Sequence, residues 1–315
     1  MIWTDFRSSA SARCARGSAL LLVLWCVAVL SVTILAVARI VQADVSDASL
    51  ENRRFEGREL ALTGVAYGLN RKIQPWDPLL NEKQRDGRTL RVRIMSEAAR
   101  IDINRALKER NQDTLRKLFR LWEIPDEAVS VAIDSMKDWT DADDLRSLNG
   151  AEREDLIHQT KYSLPANRDF RSVSEMEKVR GMDVIAAYKP DWANFFTVYG
   201  GRKIDLQDAS IDILRAAGGL SLDQAEAIDQ VRKGADRIAQ TKDDYIIKSV
   251  PDFLQKVGLG QTQSQVVEAN FSVNEGPTRI ESTAEVGGAK YRIVAIVPRS
   301  AMGGNEGTMY YWDEQ

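Results

Sequence analysis

The stretch "RGSALLLVLWCVAVLSVTILAVARI", residues 16–40, decides how the rest of the chain is read. From Ser18 to Ala38 it holds 21 consecutive uncharged residues. As a helix rising 1.5 Å per residue it reaches roughly 31 Å, about the thickness of a bilayer core. Arg7, Arg13 and Arg16 precede it, opposed only by Asp5. Positive flanks stay in the cytoplasm, so the spacing predicts a single span with its N-terminus inside and its C-terminal part outside. A secretory signal peptide has an apolar core of about 7–15 residues and a small-residue cleavage site. This core is longer, and "LAVARIVQA" beyond it is the one candidate site for such cleavage.

The helix does not stop at the membrane. Val41, Ala48, Phe55, Leu62 and Leu69 recur every seven residues, and Leu62, Val65, Ala66 and Leu69 form an i, i+3, i+4, i+7 stripe. The first proline is Pro75. Glu51, Arg53, Arg54, Glu56 and Arg58 suit a solvated face. Gly57, Gly64 and Gly68 oppose continuity by about 1 kcal/mol each relative to alanine. A basic leader ending in Arg16-Gly17, then an apolar helix with an amphipathic continuation, resembles the N-terminal plan of type IV pilins and pseudopilins. That resemblance implies cleavage between Gly17 and Ser18, methylation of the Ser18 amine, and retention of the helix. Position five of the mature chain is then Leu22, where most pilins of this class carry glutamate. One minor pseudopilin type characteristically lacks it.

The 315 residues carry 28% charged side chains and a net charge of -3. Slight acidity argues against a dedicated nucleic-acid binder, which shows a basic face. Cys14 and Cys26 are the only cysteines, so everything after Ile40 is without disulfide, thiol nucleophile or thiolate metal site. The single histidine, His158, excludes a histidine-cluster metal site and has no thiol partner, and it reads as a surface or packing residue. Trp122, Trp139 and Trp192 read as core or interface anchors. No glycine loop has phosphate-binding form, and Gly200-Gly201 is a turn.

Pro75 and Pro78 close the first helix. In Arg88–Asn104, Leu90, Val92 and Ile94 alternate with polar residues, as do Ile101 and Ile103, which predicts two strands. Pro125 and Asp126 open a helix whose apolar stripe is Val129, Ala132, Ile133 and Met136. Three later segments, 172–190, 209–234 and 249–267, each read helix, glycine turn, helix, with Ser172 and Ser249 as N-caps. Such hairpins hold DNA phosphates in some proteins. Here Asp183 and Asp223 flank the turns and repel phosphate. Near the end, alternating runs on either side of Gly287-Gly288 predict a β-hairpin, and the tail from Met302 shows no period. Strands therefore flank a helical block, the pattern of an α+β domain with an all-α insertion.

These pieces together resemble the minor pseudopilin K family of bacterial type II secretion. The carrying stretches are "GSALLLVLWCVAVLSV", "IDINRA" from Ile101, "IDSMKDWTDADDLRSLNGAE" from Ile133, "SVSEMEKVRGM" from Ser172 and "RIESTAEVGGAKYRIVAIV" near the end. "KIDLQDASIDI" from Lys203 departs from the family pattern. The resemblance implies a leader at 1–17, a transmembrane and amphipathic helix at 18–70, and pseudopilin strands at 71–104. A helical insertion at 105–268 and C-terminal strands with a tail at 269–315 complete it. It further implies a filament-tip subunit in the inner membrane with a periplasmic domain. Its partners would be the minor pseudopilins I and J, the prepilin peptidase, the inner-membrane assembly platform and membrane lipid, and no nucleic acid. Leu22 suits a tip, because a carboxylate with no neighbouring amine above it would stand unpaired in lipid, at a cost of several kcal/mol.

Asp138, Asp141, Asp143, Asp144 and Glu152 form an acidic cluster whose hard oxygen ligands suit Ca²⁺, and the family resemblance implies calcium binding as well. Counting Asp141 as first places Asp143 third and Glu152 twelfth, but Leu145 and Arg146 stand where an EF-hand needs an oxygen ligand and a glycine. The alternative for the cluster is a helix end with solvated carboxylates. Two other functions compete with the tip subunit. One is a membrane-anchored DNA-binding protein of a competence or pilus system, using the hairpins. The other is a membrane-anchored metal enzyme using the acidic cluster. No nucleophile or base constellation supports an enzyme.

Overall fold

The computed structural model describes residues 15–108, 112–158, 161–301 and 309–315. The chain divides into two compact units, Met1–Glu56 and Gly57–Gln315. Helix α1 (Ala15–Leu69) contributes to both. In the first unit, Leu20–Gln42 is long and apolar enough to cross a membrane, and none of its surface is covered by protein.

The second unit is a five-stranded antiparallel sheet backed by the end of α1, with a helical block between two of the strands. After a short turn come β1 (Asn81–Lys83) and β2 (Thr89–Ser96). The block begins with β3 (Ile101–Asp102), α2 (Ile103–Lys108), α3 (Asp113–Leu121), α4 (Asp126–Thr140), α5 (Arg153–Leu156) and α6 (Met182–Tyr188). It continues through β4 (Phe196–Thr197), β5 (Ile204–Asp205), α7 (Ile211–Gly218), α8 (Leu222–Arg232), α9 (Val250–Val257), α10 (Gln261–Asn270) and β6 (Phe271–Ser272). The chain then returns to the sheet with β7 (Thr278–Val286), β8 (Ala289–Val297) and β9 (Tyr311–Glu314). Sheet order is β1-β2-β7-β8-β9. Strands β2 and β7 are direct neighbours, paired from Thr89 with Glu285 to Ser96 with Thr278, so residues 97–277 are an insertion between adjacent strands. The α+β fold with a helical insertion is therefore present.

The face that α1 turns to the sheet differs from the heptad. Gly57, Ala61, Gly64, Val65 and Gly68 are buried, whereas Phe55 is exposed, Ala66 is exposed, and Leu62 and Leu69 are half-buried. The reason is distance. A Cβ added at Gly64 would run into the Ser282 hydroxyl and stand 2.7 Å from Val92 Cγ2, and one added at Gly68 would stand 2.6 Å from Ile280 Cγ2. The glycines that weaken an isolated helix let this one approach the sheet closely enough for Ile280, Ala284, Ile293 and Ala295 to fill the gap. Close approach takes the place of large side chains here.

Several local expectations are corrected. Ile101 lies in a strand, but Ile103 starts α2, and Ile101–Asp102 pairs in parallel with Phe196–Thr197 rather than joining the main sheet. Ser172 and Ser249 sit at N-cap positions without capping hydrogen bonds, whereas Ser210 and Ser221 do cap, accepting from Ile213 N and Gln224 N. The C-terminal tail ends as strand β9 on the sheet edge. The expected hairpin at Gly287-Gly288 forms, with φ of 55° and 83°.

The insertion has its own core, in which Phe119, Ile133, Met136, Met182, Phe196 and Phe253 are fully buried. Trp122, Trp139 and Trp192 belong to this core as anchors. Polar contacts fasten the block to the sheet. Glu97, almost entirely buried, accepts from Thr197 Oγ1 at 2.6 Å and pairs with Arg279 at 3.4 Å. Asp208 accepts from Ser96 N at 2.6 Å, and Gln240 Nε2 donates to the Ile94 carbonyl at 2.8 Å.

Candidate functional site

The acidic segment follows from the periodicity of α4. Asp134 and Asp138 are four residues apart, so both carboxylates leave one face of the helix near its C-terminal end. The chain then turns back over them. Asp138, with no exposed surface, accepts the Ser147 N–H on both oxygens, at 3.0 and 3.2 Å. Asp134 accepts from Asn149 N at 3.1 Å and from Asn149 Nδ2 at 2.9 Å. Arg180 donates to the Gly150 carbonyl at 3.0 Å. A Cβ at Gly150 would run into Asp138 Oδ2, so the loop closes this tightly only around glycine. Asp134 was not among the expected site residues; its spacing from Asp138 on a helix was the available signal.

The other acidic residues divide into two groups. Asp141 caps the C-terminal end of α4, and Glu152 is the N-cap of α5 and 3% exposed. Asp141 Oδ1 is buried without a hydrogen-bond partner, and the buried Glu152 carboxylate forms a capping box with Asp155 at the start of α5. Burial, then the charges of Asp138 and Asp141, pushes the Glu152 carboxyl up to about 7. Burial and then Asp143 and Asp138 raise Asp141 as well. Asp143 and Asp144 are exposed; Asp143 Oδ1 accepts from Leu145 N at 2.9 Å, and Asp144 Oδ1 from Asn167 Nδ2 at 3.3 Å. Among the described residues, no three acidic, histidine or cysteine side chains stand together closely enough to hold a metal ion. What the site offers is buried carboxylate oxygen.

The remaining expected residues lie apart from this loop. Gly17 and Ser18 are in the first turns of α1, while residues 1–14 of the leader lie outside the described residues, as do the side chains around the cleavage position. Leu22 is on the exposed surface of the apolar span. His158 is exposed. At the hairpins, Asp183 is engaged by Lys161 at 2.6 Å and by the Tyr162 hydroxyl at 3.2 Å. The N-terminal N–H groups of α8 are taken up by a capping box between Ser221 and Gln224.

Comparison with known proteins adds three likenesses. Residues 96–190, which include the acidic loop, match the family described as type II secretion system (T2SS), protein K. The chain is 25% identical over 232 residues to the type II secretion system protein K of Pseudomonas aeruginosa. That match spans 72% of this chain and 66% of the relative's length, just under two thirds. The fold is similar, at a TM-score of 0.58 and 15% identity, to a chain in the crystal structure of the GspK-GspI-GspJ complex from the type 2 secretion system of enterotoxigenic Escherichia coli. This likeness covers 86% of this chain and 98% of that one. A helical block inserted between two paired strands, a buried acidic loop at the end of α4 and these concordant likenesses make the chain similar to protein K of type II secretion systems.

Proposed function

We propose that this chain is the tip subunit of a type II secretion pseudopilus, assembling with the minor pseudopilins I and J, starting filament assembly and limiting its length. One observation carries the reading: the insertion of residues 97–277 between the paired strands β2 and β7. A filament subunit needs α1 and the sheet, and a second folded body on that small domain obstructs the place where another subunit would stack. The similar fold found in a complex with I and J supports the choice of partners. The span Leu20–Gln42 anchors the protein in the inner membrane, N-terminus inside and the sheet domain in the periplasm. Prepilin peptidase cuts between Gly17 and Ser18, the Ser18 amine is methylated, and the assembly platform receives the mature helix. Phe55, left exposed while Leu62 and Leu69 pack against the sheet core, serves contacts with neighbouring filament helices. The role is one of assembly, without turnover.

In this reading the acidic loop takes up a calcium ion by drawing its carboxylates together, since no three of the described ones already stand at ligating distance. Support comes from the buried oxygens of Glu152 and Asp141, a hard-oxygen set with no thiol or imidazole. Glu152 and Asp141 would be the principal ligands, with Asp138, Asp143 and Asp144 supplying negative charge around them. The ion would neutralise carboxylates that otherwise repel one another.

The test is co-expression of the full chain with I and J of the same organism and isolation of the complex from detergent. A stoichiometric ternary complex is expected, along with longer filaments in cells where residues 97–277 are replaced by a short turn. Failure of the full chain to join either partner would sink the reading. The DNA-binding alternative would instead show salt-sensitive retention of duplex DNA by the same purified chain.

A further inference from the structure

Two of the most exposed large apolar side chains outside α1 stand on the most heavily braced loop. Leu145 is 78% exposed and Leu148 is 91% exposed, three positions apart. Single exposed leucines are ordinary. These two differ in what holds them. The backbone on either side of Leu148 is tied to the buried carboxylates of Asp138 and Asp134 through Ser147 N and Asn149 N. Leu145 N is tied to Asp143, and Arg146 between them pairs with Asp155 at 2.9 Å. Gly150 closes the loop against Asp138 and is held from outside by Arg180.

Burying two carboxylates is costly unless their hydrogen bonds secure something. Within 141–150 itself no apolar side chain is buried; Ala151 and Leu156 go inside only beyond it, while the two leucines face solvent. What is secured is a fixed display of two apolar side chains, with the ordering entropy met before any partner arrives. We infer that the loop 141–150 is a preformed docking knob for another protein, with Leu145 and Leu148 entering an apolar pocket whose rim is basic. The rim follows from charge complementarity: Asp143 and Asp144 precede the leucines, exposed and negative, and Arg146 between the leucines is engaged by Asp155. The same charges disfavour the bilayer, whose anionic headgroups attract basic segments. The inference does not depend on contacts with I and J, and it stands on the loop alone.

The test uses the full-length chain in its own cells. A photo-reactive phenylalanine analogue at Leu148 should yield one discrete protein adduct, at least tenfold more abundant than from the same analogue at Ile238, also exposed and apolar. The captured protein, identified by mass spectrometry and purified, should bind the detergent-solubilised chain. The double change Leu145→Ser and Leu148→Ser should weaken that binding at least tenfold with an unchanged melting temperature. Asp143→Lys with Asp144→Lys should weaken it as well, most at low salt. Absence of an adduct, adducts to lipid alone, equal yield from Ile238, or equal binding by the double serine variant would each overturn the inference. So would retention of the chain on phosphatidylethanolamine–phosphatidylglycerol vesicles that depended on the two leucines.

Discussion

Arg58 and Glu314 meet across 256 positions of sequence, with the guanidinium donating to both carboxylate oxygens at 2.9 and 3.0 Å. Through this pair the soluble end of α1 holds the last strand of the sheet. The Tyr291 hydroxyl and Trp312 Nε1 donate to the same carboxylate. These hydrogen bonds, that of Arg58 first, depress the Glu314 carboxyl to about 2.

A depressed carboxylate contributes stability above its unfolded value, here 4.5, that is lost as pH falls toward 2. Docking of β9 should therefore loosen between those values. The Trp312 indole N–H resonance is expected to shift across that range and to stay put in Glu314→Gln. A pH-independent Trp312 signal in the unaltered chain would refute this. Because the pair is solvent-accessible, global stability should change little.

Gly64→Ala should destabilise the Gly57–Gln315 unit by about 1–3 kcal/mol, the usual cost of overpacking. The added methyl meets Ser282 and Val92. Gly57→Ala places its methyl 3.4 Å from Tyr291 Cβ, an ordinary contact, and should be neutral or stabilising by up to about 1 kcal/mol. Urea midpoints of the two variants distinguish them, and equal midpoints would contradict the close helix–sheet approach.

Asp138→Asn should cost about 1–3 kcal/mol, because it replaces a buried charged acceptor of the Ser147 N–H by a group that also carries donors with nowhere to go. Asp143→Asn, at an exposed position, should stay within about 0.5 kcal/mol of the parent. Hydrogen exchange at the Ser147 amide offers a local readout: it should speed up in the first variant only.

Calcium should raise the melting temperature, and a chelator should reverse the effect. At a free concentration 100 times the dissociation constant, the stabilisation is about 2.7 kcal/mol. Glu152→Gln should abolish the calcium response while changing the metal-free protein little, since it removes a carboxylate that burial and the charges of Asp138 and Asp141 disfavour and keeps an oxygen for the α5 cap. A calcium response that survives Glu152→Gln would place the ion elsewhere.

Mass measurement of the chain recovered from its own membranes should give an N-terminus at Ser18 carrying one methyl group. Recovery of a chain beginning at Met1, in cells with an active prepilin peptidase, would remove the basis for a filament subunit.

Much of this was readable in the order of residues. Uncharged residues in unbroken succession announced a helix long and apolar enough to cross a membrane, and Gly287-Gly288 between alternating runs permits little but a hairpin. Paired amphipathic segments around Gly219 and Gly258 likewise announced the helical hairpins. Each is a local rule, settled by neighbours within a few positions. The acidic run was visible too, but not its division into carboxylates that brace the loop and carboxylates at the helix ends beside it.

What the sequence alone determined is the kind of element at most positions and the family that the motifs resemble. What only tertiary structure decided is which face of α1 is buried, which strands pair across residues 97–277, and that the tail closes the sheet. The stripe placed Val65, Leu62 and Leu69 on or beside the buried face, but not Gly64 and Gly68 at its centre, because a periodic pattern records which side chains are apolar and not how near the opposing surface comes. Strand β9 escaped notice for a related reason: four residues carry too little periodicity, and their place is set by Arg58 and β8, far away in sequence.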